Sequence, residues 1–319
     1  MRAPPAAPHA LREVQTAGAV LMIRPAHFGA NAETAGSNFF QHGKAALPDV
    51  AARARREFDA LALALASSGV RVHQFAGQQG QALPDEVFPN NWLSLHADGT
   101  AVLYPMLAEN RRRERRLALL TALRQQHGYR IERVLDLTAL EARSAFLEGT
   151  GSLVFDREHH VAYACLSPRT HADALAKFSQ ALDYEVLPFT AVDRAGRPIY
   201  HTNVLLAVGT NFAVLCASAI ANPDERRAVV ARLERSGREI VALSFDQLEA
   251  FAGNLLELRG RNGPVIALSA TALASLDDTA RRTLERYGQL VTADVGTIER
   301  VGGGSVRCML AEVPLPQSG

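Results

Sequence analysis

Residues 146–189 read FLEGTGSLVFDREHHVAYACLSPRTHADALAKFSQALDYEVLPF and contain one complete structural unit. A polar turn rich in glycine opens the unit, and two short apolar runs that can pair as a hairpin follow it. Apolar positions at helical spacing come next, and then a second short apolar run. The predicted elements are hairpin strands at 153–156 and 161–164, a helix at 172–182 and a strand at 185–189.

The same order of elements returns along the chain roughly five times, about every 50 to 60 residues. Such repetition is typical of a radial, propeller-like α/β arrangement, in which the inner ends of the blades meet at a central channel. The residues just before each hairpin should therefore converge at that channel. They are Asn90 and Asn91, Glu148, His201 and Asn203, Asn254, and Cys308.

Composition excludes several classes of protein. The chain has 319 residues, 48% of them hydrophobic, and 34 basic residues balance 33 acidic ones, so nothing favours a nucleic-acid or membrane partner. Three cysteines do not make a disulfide framework, and no apolar run is long enough to cross a bilayer. We expect a globular protein of the reducing cytoplasm, with a small-molecule substrate and without a metal or organic cofactor; homo-oligomerisation is left open.

The chain divides unevenly. Residues 1–18 are rich in proline and alanine and are predicted to be a disordered lead-in, whereas residues 19–319 should form a single catalytic domain. The basic run Arg111–Arg116 is predicted to be a solvated helix start from which one arginine could face a ligand. The long loop Ala76–Phe88 is a candidate lid because of its length and glycine content.

Cys308 follows three glycines at 302–304 and stands beside Arg307. Taken alone, this stretch favours a buried structural cysteine after a flexible turn, although a thiol near a glycine turn and an arginine could also be a nucleophile. His201 and Glu148 occur at corresponding places of the repeat, and the three residues together make a plausible set for covalent catalysis. Each also has a plain structural interpretation, as a hairpin-edge histidine or a turn carboxylate.

The remaining candidates have weaker support. His159 and His160 could suggest a metal site, but they lie at a predicted hairpin tip without a second pair of ligands at suitable spacing. Cys165 and Cys216 lie in apolar strand contexts and are predicted to be core thiols.

Several short motifs follow one another along the chain: Phe88–Asn91, Pro105-Met106 with Arg111, Arg112 and Glu114, Glu148-Gly149, Ser167–Thr170, His201–Asn203 and Gly302–Cys308. In this order they resemble the motifs of the guanidine-modifying enzymes, which include arginine deiminases, dimethylargininases and amidinotransferases. The chain is most similar to the citrulline-utilisation hydrolases of the CtlX type, within the arginine deiminase-related family, over nearly all of its length from residue 19. The resemblance implies the pentein fold, a five-bladed α/β propeller of ββαβ repeats around a central channel.

The resemblance also implies catalytic roles. Cys308 would be the nucleophile that attacks the central carbon of a guanidino or ureido group. His201 would be the general acid and base. Glu148 would hold the substrate nitrogens and the histidine.

A second set of residues would bind the substrate. The resemblance gives this role to Asn91, its neighbour Asn90, and Asn203. Arg169 and either Arg112 or Arg111 would clamp the α-carboxylate, because a guanidinium can bind a carboxylate through two parallel hydrogen bonds. The sequence does not decide between the two adjacent arginines.

Two asparagines depart from the deiminase pattern, since Asn91 and Asn203 stand where arginine deiminases have aspartates. A guanidinium is a cation that only donates hydrogen bonds, whereas a neutral ureido group also has a carbonyl acceptor. Burying an uncompensated carboxylate against a neutral ligand would cost about 2 to 5 kcal/mol. The amides therefore favour citrulline, which would be hydrolysed to ornithine, ammonia and carbon dioxide.

Three alternatives stay open. One is a deiminase or amidinotransferase acting on arginine or a substituted arginine. Another is a non-catalytic pentein that serves as a binding or assembly factor. The third is a cysteine hydrolase on an unrelated α/β fold.

Overall fold

The computed structural model describes residues 13–41 and 49–317. Strands in this part of the chain form five three-stranded sheets, so the α/β propeller predicted from the repeat is confirmed. The strands are β1 (Ala19–Arg24), β2 (Arg71–Ala76), β3 (Leu93–Leu95), β4 (Thr100–Leu103), β5 (Arg133–Asp136), β6 (Leu153–Asp156), β7 (Val161–Cys165), β8 (Glu185–Phe189), β9 (Leu206–Val208), β10 (Phe212–Leu215), β11 (Glu239–Ala242), β12 (Leu256–Gly260), β13 (Gly263–Ser269), β14 (Gln289–Ala293) and β15 (Ala311–Glu312).

Helices connect the strands and cover the sheets. None of those in the described residues is long and apolar enough to cross a bilayer. The α-helices are Ala32–Ala35, Val50–Ser67, Glu109–Arg112, Leu117–His127, Gly149–Ser152, Ala172–Leu182, Pro223–Arg235, Phe245–Glu249, Ala270–Ser275, Asp278–Tyr287 and Gly296–Gly302. Short 3₁₀ turns occupy Pro89–Asn91, Thr138–Arg143, Thr202–Val204, Ala217–Ala219 and Val306–Met309.

Each blade repeats one pairing pattern. In the third blade β6 and β7 pair antiparallel, with Leu153 opposite Ala164, and β7 and β8 pair parallel, with Val161 opposite Glu185. A parallel pair needs a crossover connection, which the helix Ala172–Leu182 provides. The amphipathic pattern of the sequence thus determines both the order of elements and the way they pack.

The two ends of the chain together build the first blade. β15 pairs antiparallel with β1, with Leu21 opposite Ala311, and β1 pairs parallel with β2. The segment that carries Cys308 leads directly into β15 and is therefore held at the inner end of this blade.

The inner strands of the five blades begin at Leu93, Leu153, Leu206, Leu256 and Ala311. The residues three positions before these starts are all buried. Asn203 and Cys308 occupy this same position in different blades, which explains how residues far apart in sequence meet. The five residues are Asn90, Thr150, Asn203, Gly253 and Cys308.

Two local predictions need correction. The helix expected through the basic run is interrupted between Glu109–Arg112 and Leu117–His127. Its arginines are not all solvated, because Arg111 is only 2% exposed and Arg115 pairs with the largely buried Glu141. These arginine side chains turn inwards to pair with buried carboxylates, and a regular helix exposed to solvent would leave those carboxylates without partners.

The second correction concerns the last six residues of the predicted disordered lead-in, residues 1–18. Residues 1–12 lie outside the described residues. At 13–18, however, Glu13 and Gln15 are buried. Glu13 accepts a 2.7 Å hydrogen bond from Arg157, and the Gln15 amide donates to the carbonyls of Phe155 and Val208. These contacts hold residues 13–18 against two blades.

Candidate active site

A small, narrow pocket lies where the inner ends of the blades meet. Its free space is about 10 Å³, roughly the minimum that a single water molecule requires. A larger surface groove of about 510 Å³ lies beside Tyr129, but it is lined by residues of the Leu117–His127 helix and the loop after it, and no cysteine is among them. The narrow pocket is lined by Asn38, Asp85, Phe88, Asn91, Arg111, Arg169, Tyr200, His201, Gly302, Gly303, Gly304 and Cys308.

The glycines before Cys308 allow the backbone there to pack closely against neighbouring side chains. Gly303 ends the helix Gly296–Gly302 with a φ of 66°, in the left-handed region that favours glycine. A Cβ placed on Gly302 or Gly304 would come within 3.0 Å of the Phe88 ring. The following turn, Val306–Met309, then directs the Cys308 sulfur into the pocket, where the residue is buried.

Two amides surround the Cys308 sulfur. Asn203 Nδ2 donates to Sγ over 3.4 Å, and Asn254 Nδ2 donates over 3.3 Å. Arg307, by contrast, points away from the pocket, because its guanidinium donates to the carbonyl of Leu310 and to Glu312. The arginine next to the cysteine in sequence is therefore not its hydrogen-bonding partner.

His201 and Glu148 form a buried pair, with Nε2 and Oε2 2.8 Å apart. Burial alone would raise the pKa of Glu148, but Arg169 and His201 outweigh it and hold this pKa well below the usual carboxyl range. Burial lowers the pKa of His201 to about 4, against the opposing effect of Glu148. An ionised carboxylate can only accept, so the neutral imidazole donates through Nε2–H and keeps a lone pair on Nδ1.

Gly151 brings the imidazole beside Asn91. A Cβ on this glycine would lie 2.6 Å from Asn91 Nδ2 and 2.7 Å from His201 Nδ1. The helical turn Gly149–Ser152 thus lets both side chains approach its backbone. From the sequence, Gly151 was predicted only to be part of a turn.

Arg111 fixes the direction of the Asn91 amide. Its Nη1 donates to Asn91 Oδ1 over 2.7 Å, while Nε and Nη2 each donate to Glu114 over 3.0 Å. A guanidinium has no acceptor, so the oxygen of the amide must face it. Asn91 Nδ2 is left buried without a partner among the described residues. Asn91 therefore presents an N–H donor to the pocket.

Asp85 is a site residue that the sequence interpretation missed. It is 2% exposed, and its Oδ2 accepts hydrogen bonds from Asn31 and Thr34, whereas Oδ1 has no partner among the described residues. Burial raises the pKa of Asp85, against the opposing effect of Arg111 at 3.7 Å. Its position six residues before Asn91, in the loop that delivers that motif, was the one available signal.

Residues 31–41 cover the pocket. Arg169 donates to the Thr34 carbonyl and the Ser37 hydroxyl, and the side chains of Asn38 and Gln41 donate to the Gly302 carbonyl. The candidate lid Ala76–Phe88 instead supplies Asp85 and Phe88 to the lining. The cover thus comes from a different loop than the one expected from length.

The structure separates the two candidate carboxylate-binding arginines. Arg111 lines the pocket, whereas Arg112 donates to the carbonyls of Met106 and Leu107 and is 27% exposed. Successive residues of a helical turn point about 100° apart, so only one can face inwards. Of the two arginines that the sequence left open, Arg111 is therefore the one at the pocket, and Arg112 is not brought to it.

The other predicted residues are placed as follows. Arg169 lines the pocket and donates to Glu148 over 3.3 Å, whereas Glu148, Asn90 and Asn203 are not among the described lining residues. Asn203 nevertheless contacts the sulfur, and both polar side-chain atoms of Asn90 lack partners in the described part of the chain.

The weaker candidates from the sequence, one histidine and two cysteines, make contacts with structural groups away from the pocket. His159 pairs with Asp156 at 2.9 Å, away from the pocket. Cys165 and Cys216 are buried in the largest apolar cluster. Burial raises the pKa of Cys165 to about 12.

An α/β propeller with a cysteine, a histidine and a carboxylate at the inner ends of its blades defines the pentein class of guanidine-modifying enzymes. The chain belongs to the family described as N,N dimethylarginine dimethylhydrolase, eukaryotic, whose profile matches residues 24–315. The predicted superfamily is thereby confirmed, and so is the enzyme class, a hydrolase acting on carbon–nitrogen bonds other than peptide bonds. The narrower resemblance to the CtlX type stays a prediction.

Solved structures share the fold at low sequence identity. ArgZ, an arginine dihydrolase from the ornithine-ammonia cycle in cyanobacteria, is 19% identical with a TM-score of 0.73, over 94% of this chain but 41% of ArgZ. The N-terminal domain of ArgZ, covalently bound to a reaction intermediate, is 19% identical with a TM-score of 0.71, over 92% of this chain and 97% of the domain.

A third solved structure, DDAH from Pseudomonas aeruginosa complexed with citrulline, is 16% identical with a TM-score of 0.64, over 93% of this chain and 99% of that one. A search of curated protein sequences finds no significant match.

Proposed function

We propose that this protein hydrolyses the ureido group of citrulline, with Cys308 as the nucleophile. One observation carries the proposal. The pocket that contains the Cys308 sulfur is lined by one fixed N–H donor, on Asn91, and one free acceptor, on Asp85. Asn203, which contacts the sulfur from outside this lining, has a second free acceptor. These three unpaired atoms are the hydrogen-bonding groups that a bound substrate would satisfy.

A ureido group matches these atoms better than a guanidinium does. Its carbonyl oxygen can accept from Asn91 Nδ2, and its N–H groups can donate to Asp85 Oδ1 and Asn203 Oδ1. A guanidinium has only donors, so the Asn91 amide would face it with N–H against N–H. Leaving a buried donor unpaired costs about 1 to 3 kcal/mol.

The proposed reaction begins with attack of the Cys308 thiolate on the ureido carbon, which converts the carbonyl into a tetrahedral oxyanion. The Asn91 N–H would donate to this oxygen as charge develops. Collapse expels one nitrogen as an amine and leaves a thiocarbamate on the sulfur. The proton for that nitrogen would come from His201, which first receives it from the thiol of Cys308.

Water completes the cycle. His201 Nδ1 accepts a proton from the water as its oxygen attacks the thiocarbamate carbon, and the Cys308 thiolate leaves. The carbamate or carbamic acid so formed breaks down, and the sum is citrulline plus water to ornithine, ammonia and carbon dioxide. Glu148 holds the imidazole through Nε2 in both halves of the reaction.

The amino-acid end of the substrate requires an opening of the pocket, because about 10 Å³ does not admit it. Residues 31–41 are held by side-chain contacts to Arg169 and Gly302 that an incoming carboxylate could replace. Arg169 is a better candidate than Arg111 for binding that carboxylate, since Arg111 is already paired with Glu114 and Asn91.

Arginine is the second candidate substrate, and Asp85 is the observation that favours it. A buried carboxylate with a free oxygen is a suitable partner for a guanidinium cation. Arginine plus water would then give citrulline and ammonia. The Asn91 donor argues for citrulline, and the Asp85 acceptor is compatible with both substrates.

The test is a panel assay of ammonia release from citrulline, arginine, methylated arginines and agmatine. We expect the highest kcat/KM for citrulline, with ornithine as the product. Cys308→Ser should abolish turnover and leave the far-UV circular dichroism unchanged, while the matched control Cys165→Ala, which removes a buried sulfur outside the pocket, should keep activity. Turnover by Cys308→Ser would show that Cys308 is not the nucleophile. Consumption of arginine but not citrulline would refute citrulline as the substrate.

A further inference from the structure

Asn254 contacts the reacting sulfur, although it has no role in the proposed reaction so far. It lies just before β12 and is 1% exposed. Its Nδ2 is 3.3 Å from Cys308 Sγ, within the distance of an N–H···S hydrogen bond. The sulfur therefore has a second amide neighbour besides Asn203.

The direction of the Asn254 amide is fixed by the backbone on both sides. Its Oδ1 accepts from the N–H of Arg307 over 3.0 Å, and its Nδ2 donates to the carbonyl of Asn203 over 3.0 Å. An exchanged oxygen and nitrogen would place donor against donor and acceptor against acceptor. One hydrogen of the NH₂ group thus serves Asn203, and the other is left for the sulfur.

Asn203 differs in this respect. Its Nδ2 also donates to Cys308, but its Oδ1 has no partner in the described part of the chain. Asn203 can therefore turn toward a substrate N–H without breaking a second hydrogen bond. Asn254 cannot turn without breaking two.

We infer that Asn254 is a catalytic residue whose amide N–H stabilises the negatively charged sulfur of Cys308, before attack and again when the sulfur leaves. The inference rests on the proposed nucleophilic role of Cys308. Hydrogen bonds donated to an anion favour the charged form over the neutral one. The guanidinium of Arg307 donates its hydrogen bonds to Leu310 and Glu312, so the amide makes a contact with the sulfur that Arg307 does not.

The experiment follows the alkylation of Cys308 by iodoacetamide as a function of pH in the full-length protein, by mass spectrometry of the modified peptides. Asn254→Ala removes the amide. Asn254→Asp keeps the shape and an acceptor for the Arg307 N–H, but has no donor for the sulfur. The charged and titratable groups that line the pocket stay the same in all variants; they are Asp85, Arg111, Arg169, Tyr200 and His201. Arg307, whose guanidinium points away from the pocket, also stays and acts on the sulfur through its charge.

We expect the pH of half-maximal alkylation to rise by about one unit in Asn254→Ala, and by more in Asn254→Asp, which adds a like charge. The kcat at pH 7 should fall about tenfold in Asn254→Ala and recover as the pH is raised. A residue that only held the turn in place would lower kcat at every pH. Cys165 and Cys216 are internal controls, since faster alkylation of these thiols would report local unfolding.

The wild-type protein provides a test that does not depend on a folded variant. The side-chain NH₂ signals of Asn254 in a ¹⁵N–¹H spectrum should shift with the same pH midpoint as Cys308 alkylation. Unchanged alkylation profiles in both variants, or NH₂ signals that do not follow the midpoint, would overturn the role of Asn254. Turnover by Cys308→Ser would instead refute the assignment of Cys308 as the nucleophile, whatever the result with the Asn254 variants.

Discussion

Replacing Asn91 by aspartate should reverse the choice between the two candidate substrates. In the structure Arg111 Nη1 donates to Asn91 Oδ1 over 2.7 Å, and this contact leaves the NH₂ group facing the pocket. An aspartate would keep the contact with Arg111 and replace the donor by an acceptor. The volume of the side chain stays nearly the same, so the change acts through hydrogen bonding and charge.

The expected magnitude follows from the hydrogen bonds exchanged. For citrulline, the variant loses a donor to the carbonyl oxygen and gains an opposing acceptor, a loss of about 2 kcal/mol or about 30-fold in kcat/KM. For arginine, a new charge-assisted hydrogen bond should contribute about 1.5 kcal/mol, or about tenfold. The kcat/KM ratio of arginine to citrulline should therefore rise by about 300-fold. Arg111 limits the cost of burying the new carboxylate.

The assay is steady-state ammonia release from each substrate at pH 7.5, together with thermal unfolding to show that the variant is folded. Asn38→Asp is a matched control. Asn38 lines the same pocket, but its amide donates to the carbonyls of Gly302 and Gly303. It should weaken both substrates to a similar extent. A ratio that changes by less than about threefold in Asn91→Asp would refute the assigned direction of the Asn91 amide.

Three further predictions concern the same framework. Gly151→Ala should lower kcat at least 100-fold, because its Cβ would meet the imidazole and amide that face the pocket at 2.6 to 2.7 Å. The control Gly29→Ala, with nothing within 4 Å of its added Cβ, should keep activity in the same ammonia assay. Burial lowers the pKa of His96 to about 4, so the unfolded chain binds a proton that the native protein does not between pH 6.5 and 4, and stability rises with pH in this window. Urea unfolding should show a dependence of up to about 1.4 kcal/mol per pH unit from this group, which His96→Gln removes. Arg111→Ala should abolish turnover and Arg112→Ala should retain most of it; equal losses would refute their separation.

The blade order could be predicted from the sequence because hairpins, helices and parallel strands each leave a periodic pattern. The sequence could not predict which residue of a short helical turn faces the pocket, because Arg111 and Arg112 differ by one position and point about 100° apart. Asp85 escaped prediction for a different reason. It lies in a loop outside the repeat, and its importance depends on burial beside Arg111, which only the packed structure shows.

Proximity was easier to predict than hydrogen-bond direction. The repeat brings Asn254, Asn203 and Cys308 to the inner ends of the blades, as expected from their places before the hairpins. Which end of each amide faces the site depends on backbone groups, such as the Arg307 N–H for Asn254, that have no sequence pattern of their own. Residue type alone therefore suggested substrate chemistry for Asn203, while its contact with the sulfur emerged from packing.

The direction of these amides is set before any substrate arrives. Arg111 and the Arg307 N–H can only donate, so each forces an amide oxygen toward itself and an NH₂ group toward the site. One NH₂ group faces the substrate position and the other faces the sulfur. The cost of orienting these dipoles is therefore met during folding, and the reaction does not have to reorganise them. If the proposed function holds, such a pocket discriminates by hydrogen-bond direction, and its preference should change with the donor at Asn91 more than with the total charge of the site.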